Sequence, residues 1–194
     1  EGSNGKVYKG TYNERPVAVK QMHLRFKGLK AKKLLDEARY QCAVNHPNVV
    51  HCIGICPPPE FGIIMECVPP ALRQALDELE EEVTEGQMFL AALQIARGME
   101  AVHRANIVHG DLRAMNVLVG PRGPQRRCRI SDFGLSVVKT STTSARTTGT
   151  LPKRDESLGN YHWEAPELRR GIRAQSKETD VFSFGILLFQ IVKE

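Results

Sequence analysis

Apolar and polar residues alternate along the first third of the chain in a way that predicts β-strands. The runs Val7-Tyr8 and Val17-Ala18-Val19 are separated by Asn13-Glu14-Arg15-Pro16, whose composition is typical of a turn. We therefore expect a β-hairpin. Residues 49–56 and 61–68 form two further apolar runs, separated by three prolines, and predict two more strands.

Helical periodicity appears at four places. Residues 24–44 carry Leu34, Leu35 and Ala38 at helical spacing, and His46-Pro47-Asn48 ends that pattern because proline disfavours helix in the preceding residue. Residues 71–82 are a second helix candidate. Thr84-Glu85-Gly86-Gln87 fits a capping box that opens a third helix, with an apolar face best explained by core packing: Met88, Ala92, Ile95, Met99 and Val102. Residues 181–192 are too short to span a bilayer and predict a buried helix, whereas residues 140–150, dense in Ser and Thr, predict a loop.

Composition places the chain among folded proteins. Of its 194 residues 41% are hydrophobic and 25% charged, with a net charge of +5, so a disordered chain is excluded. The basic clusters have few aromatic neighbours, and we interpret them as solvated surface instead of a nucleic-acid site: Lys27, Lys30, Lys32 and Lys33, and Arg126, Arg127 and Arg129. The five cysteines form no CxxC pair, so we expect reduced thiols in a cytoplasmic protein without a zinc site or a leader segment.

The N-terminal hairpin carries candidate phosphate-binding groups. Gly2 and Gly5 could let backbone N–H groups approach phosphate oxygens, although a plain turn explains them equally well. Lys20 ends the strand run Val17-Ala18-Val19 with a cation, which either pairs with phosphate or faces solvent. Glu37, in the next predicted helix, could pair with Lys20.

Two later segments carry candidate catalytic groups. Asp111 and Asn116 stand five residues apart between a long helix and a short apolar strand. Asp111 could accept the proton of an attacking hydroxyl, and Asn116 could ligate Mg²⁺. Asp132, after another short strand, could supply a second metal ligand. Each residue alone could equally be a structural cap.

The order of these motifs resembles the catalytic domain of eukaryotic protein kinases over essentially the whole chain. A Gly-rich turn, Val17-Ala18-Val19-Lys20, a helical Glu37, the His109–Asn116 segment and Asp132-Phe133-Gly134 are followed by Ala165-Pro166-Glu167 and Asp180. The resemblance points to the tyrosine-kinase-like and tyrosine-kinase branches, with a domain truncated at both ends. It implies an α+β, two-lobe fold: residues 1–68 would form an N-lobe with a five-stranded antiparallel sheet and one helix, and residues 69–194 a mainly helical, incomplete C-lobe.

The resemblance also implies the roles of individual residues. Asp111 would be the catalytic base, Lys20 would hold the α- and β-phosphates of ATP with support from Glu37, and Asn116 and Asp132 would bind Mg²⁺. The remaining ATP contacts would come from Gly2, Gly5, Val7, Ala18, Met65, Glu66, Cys67, Val68 and Leu118, with Met65 as gatekeeper and residues 66–68 as the hinge. His109 and Phe133 would stack between the lobes, and Asp180 would anchor the catalytic loop.

The implied substrates are protein hydroxyls, with Ser/Thr favoured over Tyr, and we expect neither a nucleic-acid partner nor a membrane span. Regulatory domains and partners stay open. The alternatives are a pseudokinase that serves as a nucleotide-binding scaffold and, from charge alone, a basic nucleic-acid-binding domain.

Three positions depart from the family pattern. Gly110 replaces the arginine that usually precedes the catalytic aspartate, which predicts that phosphorylation between Lys139 and Thr150 does not switch activity in the usual way. Gln41 is polar where an apolar residue is usual, and Asn160 replaces a threonine that usually touches the catalytic aspartate.

Overall fold

The N-terminal part of the protein is a twisted antiparallel sheet. A computed structural model describes residues 6–21, 38–56, 62–68, 72, 84–120, 126–133, 136–138, 162–170 and 174–193. Within these described residues the sheet has four strands in the order β1-β2-β4-β3: β1 Lys6–Tyr12, β2 Arg15–Gln21, β3 Cys52–Cys56 and β4 Gly62–Glu66. We expected five strands, and the Gly-rich turn expected at residues 1–5 lies outside the described residues.

The predicted hairpin between β1 and β2 is confirmed. Tyr12 pairs with Arg15, which leaves Asn13 and Glu14 as the two turn residues, with φ angles of 47° and 63°. Positive φ at both central positions is the geometry of a type I′ turn, whose twist matches that of antiparallel strands. The tight turn fixes the β1–β2 register, which places Val7 opposite Lys20.

The C-terminal part is mainly helical. It contains α2 Glu85–Arg104, α3 Pro166–Arg169 and α4 Lys177–Lys193. The first helix, α1, belongs to the N-terminal part and covers residues 38–43. Two small antiparallel pairs lie between α2 and α3: β5 Ile107–Val108 with β8 Val137–Val138, and β6 Val117–Val119 with β7 Cys128–Ile130. The predicted capping box at Thr84 and Gln87 is present, and Ile95, Met99 and Val102 on the predicted face of α2 are buried.

The two parts are joined through the segment after α1. Val50 donates its backbone N–H to the carbonyl of Ile130 at 2.9 Å, and Ile130 donates to the carbonyl of Asn48 at 2.9 Å. The Asn48 side chain donates to the carbonyl of Cys128 at 2.9 Å. Gly98 of α2 lies against this junction, where an added Cβ would stand 2.5 Å from the Asn48 oxygen. Residues 48–50, which lead into β3, are therefore hydrogen-bonded to β7 and lie against α2.

Two sequence expectations need correction. Cys42 and Cys52 form a disulfide, so the expectation that all five cysteines are reduced thiols is wrong for these two. The bond joins the C-terminal turn of α1 to the first residue of β3. The helix predicted as buried at 181–192 is only partly so, since Leu187 is fully buried whereas Val181 and Phe189 are 62% and 65% exposed.

Several predictions fall outside the described residues: most of the helix expected at 24–44, nearly all of the candidate at 71–82, and the Ser/Thr-rich loop. Within the described part of the chain, no helix has both the length and the apolar character needed to cross a bilayer.

Candidate active site

Lys20 brings a buried cation from β2 to the junction of the two parts. It is 7% exposed, because it follows the apolar residues of a strand whose other neighbour is β4. Its Nζ lies 2.8 Å from Oδ1 of Asp132. A buried ammonium is stable only when paired or hydrogen-bonded, and Asp132 supplies that pairing.

Asp132 is held in a backbone conformation that aspartate seldom adopts. Its φ is 64°, in the left-handed region, where a non-glycine residue stores local strain. Such strained residues cluster at functional sites. Its side chain is 40% exposed, so a carboxylate oxygen can reach a ligand while the other contacts Lys20.

Asp111 is braced by Asn116. The Asn116 amide nitrogen donates to the backbone carbonyl of Asp111 at 2.7 Å and to its Oδ2 at 2.9 Å. Arg113 Nε lies 3.5 Å from the other carboxylate oxygen. These contacts fix the orientation of a carboxylate that could serve as a base.

The environment of Asp111 also changes its acidity. Burial raises the pKa of Asp111 above its ordinary value of 3.8, opposed by the Arg113 charge and by the Asn116 hydrogen bond. The negative charge of Asp132 adds to the rise. A raised pKa moves a carboxylate towards the range in which it accepts a proton effectively near neutral pH.

The backbone around Asp111 is anchored from α4. Asp180, 2% exposed, accepts the backbone N–H groups of His109 at 2.8 Å and Gly110 at 2.9 Å. Its Oδ2 also lies 2.8 Å from His103 Nε2. Since Asp180 accepts three hydrogen bonds, it orders the segment that carries Asp111.

His109 links this segment to Asp132. Its Nδ1 accepts the N–H of Asp111 at 3.3 Å, and its Nε2 lies 3.0 Å from the carbonyl of Ser131. Both contacts are satisfied together by the neutral tautomer that carries its proton on Nε2. The His109 and Phe133 rings are 5.1 Å apart, as the resemblance implied.

The expected adenine-binding residues lie on both sides of the junction. Ala18 of β2 and Leu118 of β6 pack against one apolar cluster that includes Met65. Glu66 accepts the N–H of His51 at 2.8 Å and contacts Arg129, whose Nε is 3.3 Å from its carboxylate. Cys67 and Val68 follow β4 and are partly buried. Val7 is 63% exposed.

Gln41, a polar residue where the family usually has an apolar one, has hydrogen-bond acceptors in the core. Gln41 is fully buried, and its amide nitrogen lies 3.5 Å from the Val50 carbonyl and 3.8 Å from the Met65 sulfur. Its polar group therefore faces acceptors and does not stay unpaired in the core. The roles expected of Gly2, Gly5 and Glu37 concern residues outside the described part, as does Asn160.

The donor set fits a magnesium–nucleotide complex. Asn116 uses its amide nitrogen on Asp111, which directs its side-chain oxygen elsewhere. Its backbone carbonyl accepts the N–H of Ser131 at 2.8 Å. Asn116, directly before β6, therefore lies near Asp132, which follows the paired strand β7. Amide and carboxylate oxygens of this kind are the ligands Mg²⁺ takes alongside substrate phosphates.

Sequence reasoning missed several residues that support this site. Ser131 ties Asn116 to the strand before Asp132, and its hydroxyl donates to the Asn116 carbonyl at 3.0 Å. Gln175 donates to the Gly110 carbonyl at 3.2 Å. Because Ser131 directly precedes Asp132 in the sequence, the Ser131–Asn116 contact could have been suggested from the sequence. No sequence signal points to the contact of Gln175 with Gly110.

Comparison with known proteins agrees with this geometry. Residues 1–194 match the family model described as protein tyrosine and serine/threonine kinase. The chain is 31% identical to the serine/threonine/tyrosine-protein kinase HT1 of Arabidopsis thaliana, over 98% of this chain and 47% of that protein. It is 32% identical to the serine/threonine-protein kinase STY46 of the same plant (98% and 32%). It is 36% identical to the tyrosine-protein kinase Fer of Rattus norvegicus (98% and 22%). The chain thus spans less than half the length of each of these relatives.

Proposed function

The chain belongs to the protein tyrosine and serine/threonine kinase family, and on that premise we propose that it transfers the γ-phosphoryl group of ATP to hydroxyl groups of proteins. The observation that carries the proposal is the contact of Lys20 with Asp132 at 2.8 Å, beside a braced Asp111. A cation from the sheet and acidic groups from the helical part thereby converge on one place. Phosphoryl transfer depends mainly on such alignment and charge neutralisation.

Each residue has a separate task in the proposed reaction. Asp111 accepts the proton as the substrate hydroxyl oxygen forms its bond to the γ-phosphorus and the bond to the bridging β–γ oxygen breaks. Lys20 holds the phosphates, with Glu37 supporting it. When bound, Mg²⁺ neutralises the charge that develops on the phosphate oxygens. Asn116 and Asp132 would hold that ion.

The nucleotide base would lie against the cluster formed at the junction. Ala18 and Leu118 both pack against this cluster and Met65 is buried in it, which suits an apolar ring. Glu66, Cys67 and Val68 follow as the hinge, and Val7, Gly2 and Gly5 would cover the nucleotide. In this division, residues 1–68 act as the N-lobe and 69–194 as the C-lobe.

We favour Ser and Thr over Tyr as acceptors. STY46 is named a serine/threonine-protein kinase and HT1 a serine/threonine/tyrosine-protein kinase. Gly159–Glu167 resembles the corresponding motif of tyrosine-kinase-like enzymes. Tyr is the second candidate because Fer is a tyrosine kinase. Protein substrates without a nucleic-acid partner and a cytoplasmic location complete the proposal. The three free cysteines suit a reducing compartment, whereas the Cys42–Cys52 disulfide does not.

A transfer assay with the full-length protein tests the proposal. Wild type and Lys20→Met would be incubated with Mg²⁺, γ-labelled ATP and a degenerate peptide library, followed by phosphoamino-acid analysis. We expect label on phosphoserine and phosphothreonine for wild type only. Nucleotide-dependent thermal stabilisation without any transfer would refute the enzyme and favour the scaffold, and label on phosphotyrosine alone would overturn the Ser/Thr preference.

A further inference from the structure

The peptide bond that links Gly110 to Asp111 is held at both of its polar groups. Its carbonyl accepts a hydrogen bond from Gln175 Nε2 at 3.2 Å. Its N–H, which belongs to Asp111, donates to His109 Nδ1 at 3.3 Å. The orientation of this peptide determines where the Asp111 side chain starts, so both partners bear on the position of its carboxylate.

Gln175 occupies the space beside the Gly110 α-carbon. An added Cβ at Gly110 would stand 2.6 Å from Gln175 Nε2 and 2.8 Å from its Oε1. Gly110 also has a φ of +76°, which side chains of L-residues rarely tolerate. The backbone conformation therefore disfavours a side chain at position 110, and any side chain there would also have to displace the Gln175 amide from the Gly110 carbonyl.

The segment that carries Gln175 is itself fixed at the start of α4. Ser176 donates its N–H to Thr179 Oγ1 at 3.0 Å, and Thr179 donates its N–H to Ser176 Oγ at 3.3 Å. This reciprocal arrangement satisfies two free helix N–H groups, as a capping box does. Because Asp180 of the same turn holds the Gly110 N–H at 2.9 Å, one rigid helix end holds both sides of Gly110.

We propose that Gln175 is a positioning residue for the phosphoryl transfer: through the Gly110 carbonyl it sets the peptide plane that aims the Asp111 carboxylate at the substrate hydroxyl. This role rests on the proposed kinase activity. Gln175 touches neither nucleotide nor substrate in this scheme and acts only through Asp111.

Three variants of the full-length protein separate positioning from general support. Gln175→Glu keeps size and shape but replaces the N–H donor with an acceptor. Gln175→Lys keeps a donor of similar reach. Lys177→Met is the matched control, because Lys177 makes a neighbouring exposed contact with Asn106 at 3.3 Å, away from Gly110.

We expect Gln175→Glu to lower kcat roughly 5–20-fold, the effect of losing one hydrogen bond and adding an unfavourable contact, with KM for ATP within about twofold. Gln175→Lys should recover most of that loss, and Lys177→Met should stay within about twofold of wild type. In an Asp111→Asn background, Gln175→Glu should have less than about a twofold further effect, since residues that act as a unit are non-additive.

Failure of the Gln175 proposal can be distinguished from failure of the proposed kinase activity. If wild type transfers no phosphate, the proposed function fails. If wild type is active, a normal kcat for Gln175→Glu overturns the positioning role, as does the same fold-loss in the wild-type and Asp111→Asn backgrounds. A rise in KM for ATP without a fall in kcat would also overturn it.

Discussion

Lys20 and Asp132 are separated by 112 positions in the sequence, yet the Nζ of one lies 2.8 Å from the Oδ1 of the other. Lys20 is almost fully buried, whereas the Asp132 side chain is 40% exposed. The pair is therefore asymmetric: the lysine is enclosed at the contact, and the aspartate side chain remains accessible to a ligand. Removal of either partner has a different consequence.

Lys20→Met should abolish measurable transfer while the fold persists. Methionine fills the buried site with an apolar chain. The Asp132 carboxylate loses the Lys20 contact but is 40% exposed and can be solvated, so the cost of burying an uncompensated charge is avoided. Circular dichroism and thermal unfolding of the full-length protein would accompany the transfer assay. A transfer rate equal to that of wild type would show that Lys20 has no role in catalysis. Lys177→Met serves as the control for loss of a lysine.

Asp111→Asn should lower kcat by roughly 10²–10⁴-fold, the contribution of a general base, without loss of stability. Burial raises the pKa of Asp111, so the folded protein favours the protonated carboxyl group. The stability that this group contributes to the folded protein is fully present below the ordinary pKa and is lost as pH rises through the folded-state pKa. Asparagine is neutral throughout that range. Its thermal midpoint at pH 7 should therefore equal or exceed that of wild type.

Glu100→Gln is the control for this substitution, because Glu100 is an exposed acid paired with Arg104 at 2.7 Å. It should leave kcat and the midpoint nearly unchanged. An Asp111→Asn protein that unfolds several degrees below wild type at pH 7 would contradict the stability argument, and near-normal turnover would exclude Asp111 as the base.

The Arg113 guanidinium lowers the pKa of Asp111 against the larger effect of burial. Arg113→Met should therefore raise this pKa further, and the acid limb of kcat/KM against pH should move to higher pH because the ionised carboxylate is the active form. The pH profiles of both proteins measure the shift. Arg104→Met, on an exposed helix face, should leave the limb in place; an unmoved limb in Arg113→Met would mean that another group controls it.

The sequence predicted the elements and residues whose signals are local. Turn composition predicted the hairpin around Asn13 and Glu14, and the capping box predicted the start of α2. The order of the motifs indicated four candidate site residues: Lys20, Asp111, Asn116 and Asp132. The geometry among these residues could not be predicted from spacing, because it depends on how the sheet docks on β7.

Contacts made by ordinary residues far apart in sequence carry no local signal. Gln175 and Gly110 are 65 positions apart, and a glutamine before a helix has no pattern that points to a glycine carbonyl. The Cys42–Cys52 pair was missed for a related reason: an odd count without a motif favours free thiols, and only the return of the chain from α1 to β3 brings the two sulfurs together.

Two helical glycines should respond to alanine in opposite directions. At Gly98 an added Cβ would meet the Asn48 oxygen at 2.5 Å and Ile130 Cδ1 at 2.8 Å, so overpacking should cost roughly 1–3 kcal/mol of unfolding free energy. At Gly185 no described atom lies within 4 Å of the added Cβ, and alanine should add up to about 1 kcal/mol through helix propensity. Denaturant unfolding of both variants measures the difference; equal effects would contradict the close approach of α2 to Asn48.

The Cys42–Cys52 disulfide closes a loop with a sequence separation of 10, for which chain entropy gives a stabilisation of about 2–3 kcal/mol. Cys42→Ser should lose this amount under oxidising conditions and nothing when reductant is present, because the bond is then absent from both proteins. Cys56→Ser, at a free cysteine, is the matched control and should be neutral in both buffers. Thiol labelling in denaturant without reductant, followed by mass measurement, establishes the state of the pair, because the buried Cys128 would not label in the folded protein. If the protein purified without reductant labels at all five cysteines, the two thiols stay reduced and the stability difference should vanish with them.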